Sequence, residues 1–75
     1  MSPEQCRAAR AWIGMSQEEL AKAASVGLST LRDFEKGTRT PVTNNLAAIR
    51  AVLEGKGFAF SEKGESTQSL SYTGR

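Results

Sequence analysis

Two short predicted helices, the first with a clear start and a clear end and the second following at once, limit the folds that this chain can adopt. Ser16 and Glu19 form the S-x-x-E pattern that caps a helix start, because each side chain can bind a backbone N–H group of the first turn. The alanine-rich run that follows is interrupted at 25–27, so this helix is predicted over 17–24 and the next over 28–36. Two helices this short, joined by a three-residue turn, are not stable alone but can present one helix from a compact body.

Two further helices are predicted on either side of this pair. Ser2 and Pro3 place a hydroxyl cap and a proline at the start of helix 1, which is predicted over 3–13. Thr43 or Asn44 is predicted to cap helix 4, which ends at the glycines that follow residue 54. The apolar stripe of helix 4 is formed by Leu46, Ile49 and Leu53.

The C-terminal residues, 57–75, have a different pattern. Phe58 and Phe60 alternate with small or polar residues, Leu70 and Tyr72 do the same, and eight residues from Glu62 to Ser69 separate the two runs. Alternation of this kind predicts a hairpin or two loose strands. The sequence therefore predicts a mainly α fold, with a four-helix domain over 1–56 and a short β-hairpin or extended tail over 57–75.

The apolar face of such a hairpin needs a partner, because an isolated two-stranded hairpin is marginal in water. It must pack on helix 4 or pair with its copy in another subunit. Since the apolar stripe of helix 4 is already assigned to the helical core, pairing between subunits is favoured. The predicted dimerisation residues are Phe58, Phe60, Leu70 and Tyr72. A disordered, solubilising tail is the alternative.

Composition excludes several classes of protein. The 75 residues suffice for one small domain, and they contain no apolar run near the roughly 18 residues that a membrane span needs. The first residues lack the features of a secretory signal, so a cytoplasmic protein is predicted. With no histidine and one cysteine, a Cys/His zinc cluster, a disulfide framework and histidine-based catalysis are excluded. Cys6, Trp12 and Met15 are interpreted as core residues rather than as a ligand pocket or redox sensor.

Residues 3–53 resemble the helix-turn-helix family of Cro and the phage repressors, which includes the Xre-like bacterial regulators. The sequence departs from the family pattern at Ser25, where glycine is usual, and at Gly27, where a hydroxyl cap is common. A positive φ at Ser25 would cost about 1 kcal/mol. The resemblance rests on Arg10, the run Gly14-Met15-Ser16-Gln17-Glu18-Glu19-Leu20-Ala21, Val26, Ser29-Thr30-Leu31, Phe34-Glu35-Lys36-Gly37 and Pro41.

The resemblance implies that helix 3 is a recognition helix that enters the DNA major groove. Arg32 is able to make two hydrogen bonds to guanine, Leu28 can meet a thymine methyl group, and Ser29 can donate or accept. Asp33 is expected to hold Arg32 in place, with a hydrogen bond from cytosine as the alternative. The predicted base-reading residues are thus Leu28, Ser29, Arg32 and Asp33. The alternative interpretation makes them the solvated face of a core helix.

The resemblance also implies contacts with the DNA backbone and one internal ion pair. Gln17 matches the family glutamine that binds phosphate and braces the recognition helix, with a plain surface residue as the alternative. Arg10 and Glu35 match a bridge between helix 1 and helix 3. The predicted backbone contacts are Gln17, Thr30, Lys36 and Arg39, although Arg39 is nearly as well explained as a solvated charge.

These implications favour a sequence-specific DNA-binding regulator, a homodimeric repressor that binds an inverted-repeat operator. The prediction includes double-stranded DNA and a second copy as partners, no cofactor, no metal and no enzymatic activity. The net charge of +2 permits an acidic partner without indicating one. The alternative is a protein-interaction module, either an antiactivator or an antitoxin whose tail orders on its partner.

Overall fold

The computed structural model describes residues 1–63 and 67–73, and within these ranges the chain forms four helices followed by one antiparallel strand pair. The helices are α1 (Pro3–Ile13), α2 (Gln17–Ala24), α3 (Leu28–Lys36) and α4 (Thr43–Gly55), and the strands are β1 (Phe58–Lys63) and β2 (Thr67–Tyr72). The predicted fold class, mainly α with a C-terminal hairpin, is confirmed. Among the described helices, none is long and apolar enough to cross a membrane.

Local capping explains where α1 and α2 begin. The Ser2 hydroxyl accepts from the Gln5 N–H at 3.1 Å, and the Gln5 side chain accepts from the Ser2 N–H at 2.8 Å. Ser16 and Glu19 make the same reciprocal pair at the start of α2, at 3.0 and 2.8 Å. Four backbone N–H groups that a helix start leaves unpaired thus find partners within two short segments.

The predicted cap of α4 is wrong. The N-cap is Val42, which makes no side-chain capping bond, and Thr43 is already the first helical residue. The reason is that the Leu46 N–H donates to the Val42 carbonyl at 3.0 Å, so the helical hydrogen bonding starts one residue earlier than the hydroxyl-based pattern suggests. Val42 remains 68% exposed.

Ser25 closes α2 in the left-handed conformation, with φ of 57° and ψ of 40°. It is the one residue other than glycine with a positive φ in the described ranges. The turn is held by the Val26 N–H, which donates to the Ala21 carbonyl at 3.0 Å, and by the Ser25 N–H, which donates to the Lys22 carbonyl at 3.1 Å. The strain anticipated for Ser25 is therefore present in the fold.

The core is shared by the helices and the hairpin. Leu20, Leu31 and Ile49 are fully buried between the helices, while Phe58 and Phe60 are only 3% and 8% exposed in the same cluster. The argument that helix 4 has no apolar surface left for these two rings, which favours a subunit interface for them, is therefore wrong, because their apolar surface is covered within one chain. The helix stripe and the hairpin bury their apolar faces together.

The strands pair in a single register that sets Phe58 opposite Tyr72 and Phe60 opposite Leu70. Pairing continues to Lys63 and Thr67, so the polar separator predicted over Glu62–Ser69 is shorter than expected. Polar residues can continue a strand because the backbone makes the hydrogen-bonded ladder. Residues 64–66 of that separator lie outside the described ranges.

Trp12 is not a core residue, contrary to its interpretation from sequence. Its side chain is 58% exposed and lies on the surface of the hairpin, with ring centroids 5.9 Å from Phe58 and 5.4 Å from Tyr72. The helical spacing that places Cys6 and Ala9 inward puts Trp12 at the margin of that face, where the hairpin supports only one side of the indole. Cys6, by contrast, is fully buried as expected.

Candidate nucleic-acid interface

Helix α3 divides its residues between a buried and an exposed side. Leu31, Phe34 and Glu35 are buried against the body of the protein. Ser29 and Arg32 are exposed on the other side, as is Lys36 in the last turn. Because residues at spacings of three and four lie on one side of a helix, these three polar residues form a continuous stripe.

Two of the four predicted base-reading residues are only partly available. Leu28 is half-buried and packs against the core, so part of its side chain is left for a ligand. Asp33 is also half-buried, and its main-chain carbonyl accepts from the Thr38 N–H at 3.0 Å. The expected pairing of Asp33 with Arg32 is wrong: in the part of the chain that the structure describes, no ion pair joins them. Consecutive residues on a helix do not face each other.

The predicted backbone contacts surround the exposed stripe. Thr30 is half-buried beside the N-cap of α3, and Gly27 supplies no side-chain bond to that helix start. Lys36 and Arg39 are exposed, the first at the end of α3 and the second in the loop before α4. All of these groups can bind anionic oxygens: the first-turn N–H groups of α3, the hydroxyl of Thr30, and the cationic side chains of Lys36 and Arg39.

Glu35 is the centre of a hydrogen-bond network behind this surface. Its carboxylate, only 2% exposed, accepts from Arg10 Nε at 2.8 Å and from Arg10 Nη2 at 2.7 Å. Gln17 Nε2 donates to it at 3.0 Å and the Cys6 thiol at 3.1 Å. Burial alone would raise the pKa of Glu35, but the hydrogen bonds from Arg10, Cys6 and Gln17 outweigh it and lower that pKa.

The same network joins three parts of the chain. Arg10 lies on α1 and also donates, through Nη1, to the Met15 carbonyl in the turn before α2 at 2.9 Å. Gln17 is the first residue of α2, and Glu35 lies on α3. The expected ion pair between Arg10 and Glu35 is thus present, and Gln17 does brace α3. Whether Gln17 also contacts phosphate stays a prediction.

Two members of the network were not anticipated from sequence. Cys6 was interpreted only as a small apolar residue, but it donates to a buried carboxylate. Burial and the hydrogen bond to Glu35 raise the pKa of the thiol, so it stays protonated as a donor. Arg7, which was assigned no role, donates from Nη1 to the main-chain carbonyl of Glu35. The only available signal was the spacing of three residues between Arg7 and Arg10, which places both on one side of α1.

Comparison with known proteins agrees with this geometry. A family described as helix-turn-helix matches residues 7–57, about two thirds of the chain. The matched segment contains α2, α3 and α4 and begins within α1 at Arg7. No match was found among curated proteins. The family consists of DNA-binding regulatory domains, which are not typically enzymatic. With its two short helices, its exposed α3 stripe and its match over 7–57, the chain belongs to the helix-turn-helix family of the Cro/C1 type, the DNA-binding transcriptional regulators.

Proposed function

We propose that this chain is a sequence-specific repressor that binds an inverted-repeat operator as a homodimer, with α3 in the major groove. One observation carries the proposal: α3 is fixed on its inner side by a buried network while its outer side presents Ser29, Arg32 and Lys36 to solvent. A helix held in this way can present side chains to base edges in a defined position. The net charge of +2 adds a weak general attraction to DNA.

Each exposed residue suits a different part of the duplex. Arg32 is proposed to bind guanine O6 and N7, the most frequent specific contact in the major groove. Ser29 can donate to or accept from a neighbouring base, and the exposed part of Leu28 suits a thymine methyl group. Asp33, which is not engaged by Arg32, is proposed to accept from a cytosine amino group.

Backbone contacts are proposed for the residues around this stripe. Gln17 has two amide N–H donors, and the bond to Glu35 uses one of them, so the second is available for a phosphate oxygen. Lys36 and Arg39 are proposed to contact phosphates at the edge of the groove, and Thr30 to donate from its hydroxyl. These contacts set the register of α3 without reading sequence.

Two copies are proposed because one short helix reads too few base pairs for specificity. Half-sites about 34 Å apart would match the two-fold symmetry of such a dimer. The hairpin supports a proposal for the interface. The Thr73 N–H donates to the Gly57 carbonyl at 2.8 Å, so these two residues form a hydrogen-bonded pair. Because hydrogen-bonded and non-hydrogen-bonded pairs alternate along an antiparallel ladder, Phe60 and Leu70 form a non-hydrogen-bonded pair.

In a non-bonded pair the backbone groups point away from the partner strand. On the β1 side, Arg50 Nη2 donates to the Phe60 carbonyl at 3.3 Å. On the β2 side, the same rule directs the N–H and carbonyl groups of Leu70 away from β1, toward the outer edge of the hairpin. That edge suits pairing with β2 of a second copy. Leu70 and Tyr72 are each half-buried and remain proposed contact residues, whereas Phe58 and Phe60 would support the strands from inside.

The proposal is tested with duplexes selected from a random pool, using fluorescence anisotropy over a range of salt concentrations. Arg32→Ala should weaken binding by about 1–3 kcal/mol at one or two base positions and leave random DNA nearly unaffected. Lys36→Ala should weaken all duplexes alike and reduce the salt slope by about one unit. Lys22→Ala, an exposed lysine outside the proposed interface, is the control. Equal losses on selected and random DNA for Arg32→Ala would exclude a base-reading role.

A second function, recognition of another protein, is favoured by one observation. Trp12 is 58% exposed and borders a groove of about 620 Å³ that is also lined by Met15 and Tyr72. Exposed tryptophans are frequent anchors of protein interfaces. An antiactivator or antitoxin would bind its protein partner through this surface. Trp12→Ala would then abolish binding of that partner while leaving duplex binding unchanged.

A further inference from the structure

Arg7 makes a contact that the proposed DNA interface does not use. It lies on the exposed side of α1, yet its guanidinium donates from Nη1 to the main-chain carbonyl of Glu35. Glu35 is the second-last residue of α3. An exposed cation of a DNA-binding domain is ordinarily assigned to phosphate, but this one is engaged with the protein's own backbone.

The contact adds a hydrogen bond at the C-terminal end of α3. A helix leaves its last four carbonyls without helical partners. Here the Asp33 carbonyl accepts from the Thr38 N–H at 3.0 Å, and the Phe34 carbonyl accepts from the Gly37 N–H at 2.9 Å. Glu35 provides the next carbonyl, and Arg7 supplies its donor from a different helix. The positive charge also lies at the negative end of the helix dipole, where a cation is stabilising.

Arg7 and Arg10 hold the same residue in two different ways. Arg10 binds the Glu35 carboxylate, which can follow small movements of the helix by rotating about its own side-chain bonds. Arg7 binds the Glu35 main chain, which moves only with the helix itself. The two contacts together therefore restrict both the tilt and the rotation of α3, whereas the carboxylate contact alone leaves its C-terminal end freer to tilt.

We infer that Arg7 is a positioning residue that sets the angle of α3 and thereby the selectivity of base reading; the inference rests on the proposed function. Its anchor at Glu35 lies six residues beyond Ser29, about 9 Å along the helix axis. A binding group must be held to about 0.5 Å and 10–20° to act productively. A small tilt at the anchored end therefore displaces Ser29 at the other end most, and Arg32 in the middle of the helix less. Phosphate contacts, which tolerate more movement, are less affected.

The test compares Arg7→Met, which keeps the apolar stem but removes donors and charge, with Arg7→Lys, which keeps the charge on a side chain one bond shorter. Lys36→Met is the matched control for a phosphate contact. All are measured on a duplex selected with the unmodified protein and on a scrambled duplex of the same composition. Backbone amide exchange of α3 and residues 37–38 is recorded without DNA, and circular dichroism checks that each variant is folded.

A positioning role predicts that Arg7→Met lowers the ratio of selected to scrambled affinity about tenfold, as when one base contact is misaligned. The salt slope should stay unchanged, and amide exchange should accelerate at 37–38. Arg7→Lys should lower the ratio of selected to scrambled affinity by a smaller factor. This variant keeps the test valid if Arg7→Met does not fold. Lys36→Met should leave the ratio and the exchange unchanged.

Two results would overturn the inference. If Arg7→Met reduces the salt slope by about one unit with an unchanged ratio, and Arg7→Lys behaves like the unmodified protein, Arg7 is a phosphate contact. If neither the ratio nor the exchange changes, Arg7 has no role in α3. Failure of the unmodified protein to prefer any selected duplex would instead refute the proposed function, and with it the inference.

Discussion

The ion pair between Arg10 and Glu35 should be strongly coupled, and a double-mutant cycle measures that coupling. Glu35→Gln keeps the shape of the side chain but removes the charge that Arg10 binds through two atoms at 2.7 and 2.8 Å. Removing one partner of a buried pair costs about 3–5 kcal/mol. Since the Arg10 side chain is 18% exposed and water can partly solvate it, we expect about 2–3 kcal/mol for Glu35→Gln.

This loss is large but leaves the protein folded. A chain of 75 residues has an unfolding free energy of about 4–11 kcal/mol at the usual value per residue. A loss of about 2–3 kcal/mol lowers the melting temperature by roughly 10–20 °C. Arg10→Met should cost at least as much, because it leaves the nearly buried Glu35 carboxylate with only the neutral Gln17 and Cys6 donors.

The cycle consists of both single variants and Arg10→Met/Glu35→Gln, measured by urea unfolding with circular dichroism. The double variant should lose about 1.5–2 kcal/mol less than the sum of the single losses. Arg50 and Glu54 provide a control pair with a similar N–O distance of 3.0 Å but side chains 40% and 46% exposed, for which we expect a coupling of about 0.3–0.5 kcal/mol. Additive losses for Arg10 and Glu35, or coupling no larger than in the control, would refute the argument that burial makes this pair structurally important.

Three further outcomes are expected. Because the pKa of Glu35 is lowered in the folded state, that state binds fewer protons in acid than the unfolded state. The contribution of Glu35 to stability should be complete above the ordinary carboxyl pKa of about 4.3 and should be lost as the pH falls through the lowered pKa. Acid unfolding of Glu35→Gln should show less of this pH dependence. Ser25→Gly should raise the melting temperature by a few degrees, a gain of about 1 kcal/mol, because it relieves the positive φ of 57°. Phe58→Ala should destabilise the domain by about 3–5 kcal/mol in thermal unfolding, because the ring is 3% exposed; near-normal stability would contradict its place in the core.

The limits of the first three helices could be predicted because they depend on local chemistry. The two capping boxes at Ser2 and Ser16, and the glycines at 14 and 37, act within one or two turns of the chain. These signals need no knowledge of what packs against the helix. The start of α4 was predicted wrongly because Val42 makes no side-chain cap, while the polar side chains of Thr43 and Asn44 suggest a cap one or two residues later.

The packing of the hairpin could not be predicted in the same way. An alternating pattern shows that Phe58 and Phe60 share a face, but not which surface covers that face. Assigning Ile49 and Leu53 entirely to the helical core assumes that a buried apolar side chain contacts only one neighbouring element. A buried side chain ordinarily touches several, so one stripe on α4 can contact both the helices and β1. The burial of Trp12 was predicted wrongly for a related reason. Helical spacing shows in which direction a side chain points, but not whether the rest of the protein extends far enough to cover it.

The site itself was predictable only in part. The Arg10–Glu35 pair and the candidate DNA contacts came from the family resemblance, since no spacing rule links residues 25 positions apart. Arg7 and Cys6 carried no comparable signal. Whether a guanidinium reaches a main-chain carbonyl depends on the distance and angle between α1 and α3, which the packing of the whole core determines.

The arrangement of α3 separates the residues that hold it from the residues proposed to read DNA. Leu31, Phe34 and Glu35 face inward, so substitutions there act through cavities or stranded charges and cost several kcal/mol. Ser29 and Arg32 face solvent, and exposed substitutions away from caps and networks usually change stability by less than about 0.5 kcal/mol. The sequence that the helix recognises can therefore be changed at Ser29 and Arg32 while the Glu35 network keeps its position. Because the two sets lie on opposite sides of one nine-residue helix, they are coupled through its rigid-body position, which the packing of Leu31 and Phe34 and the contacts of Glu35 with its two arginines determine.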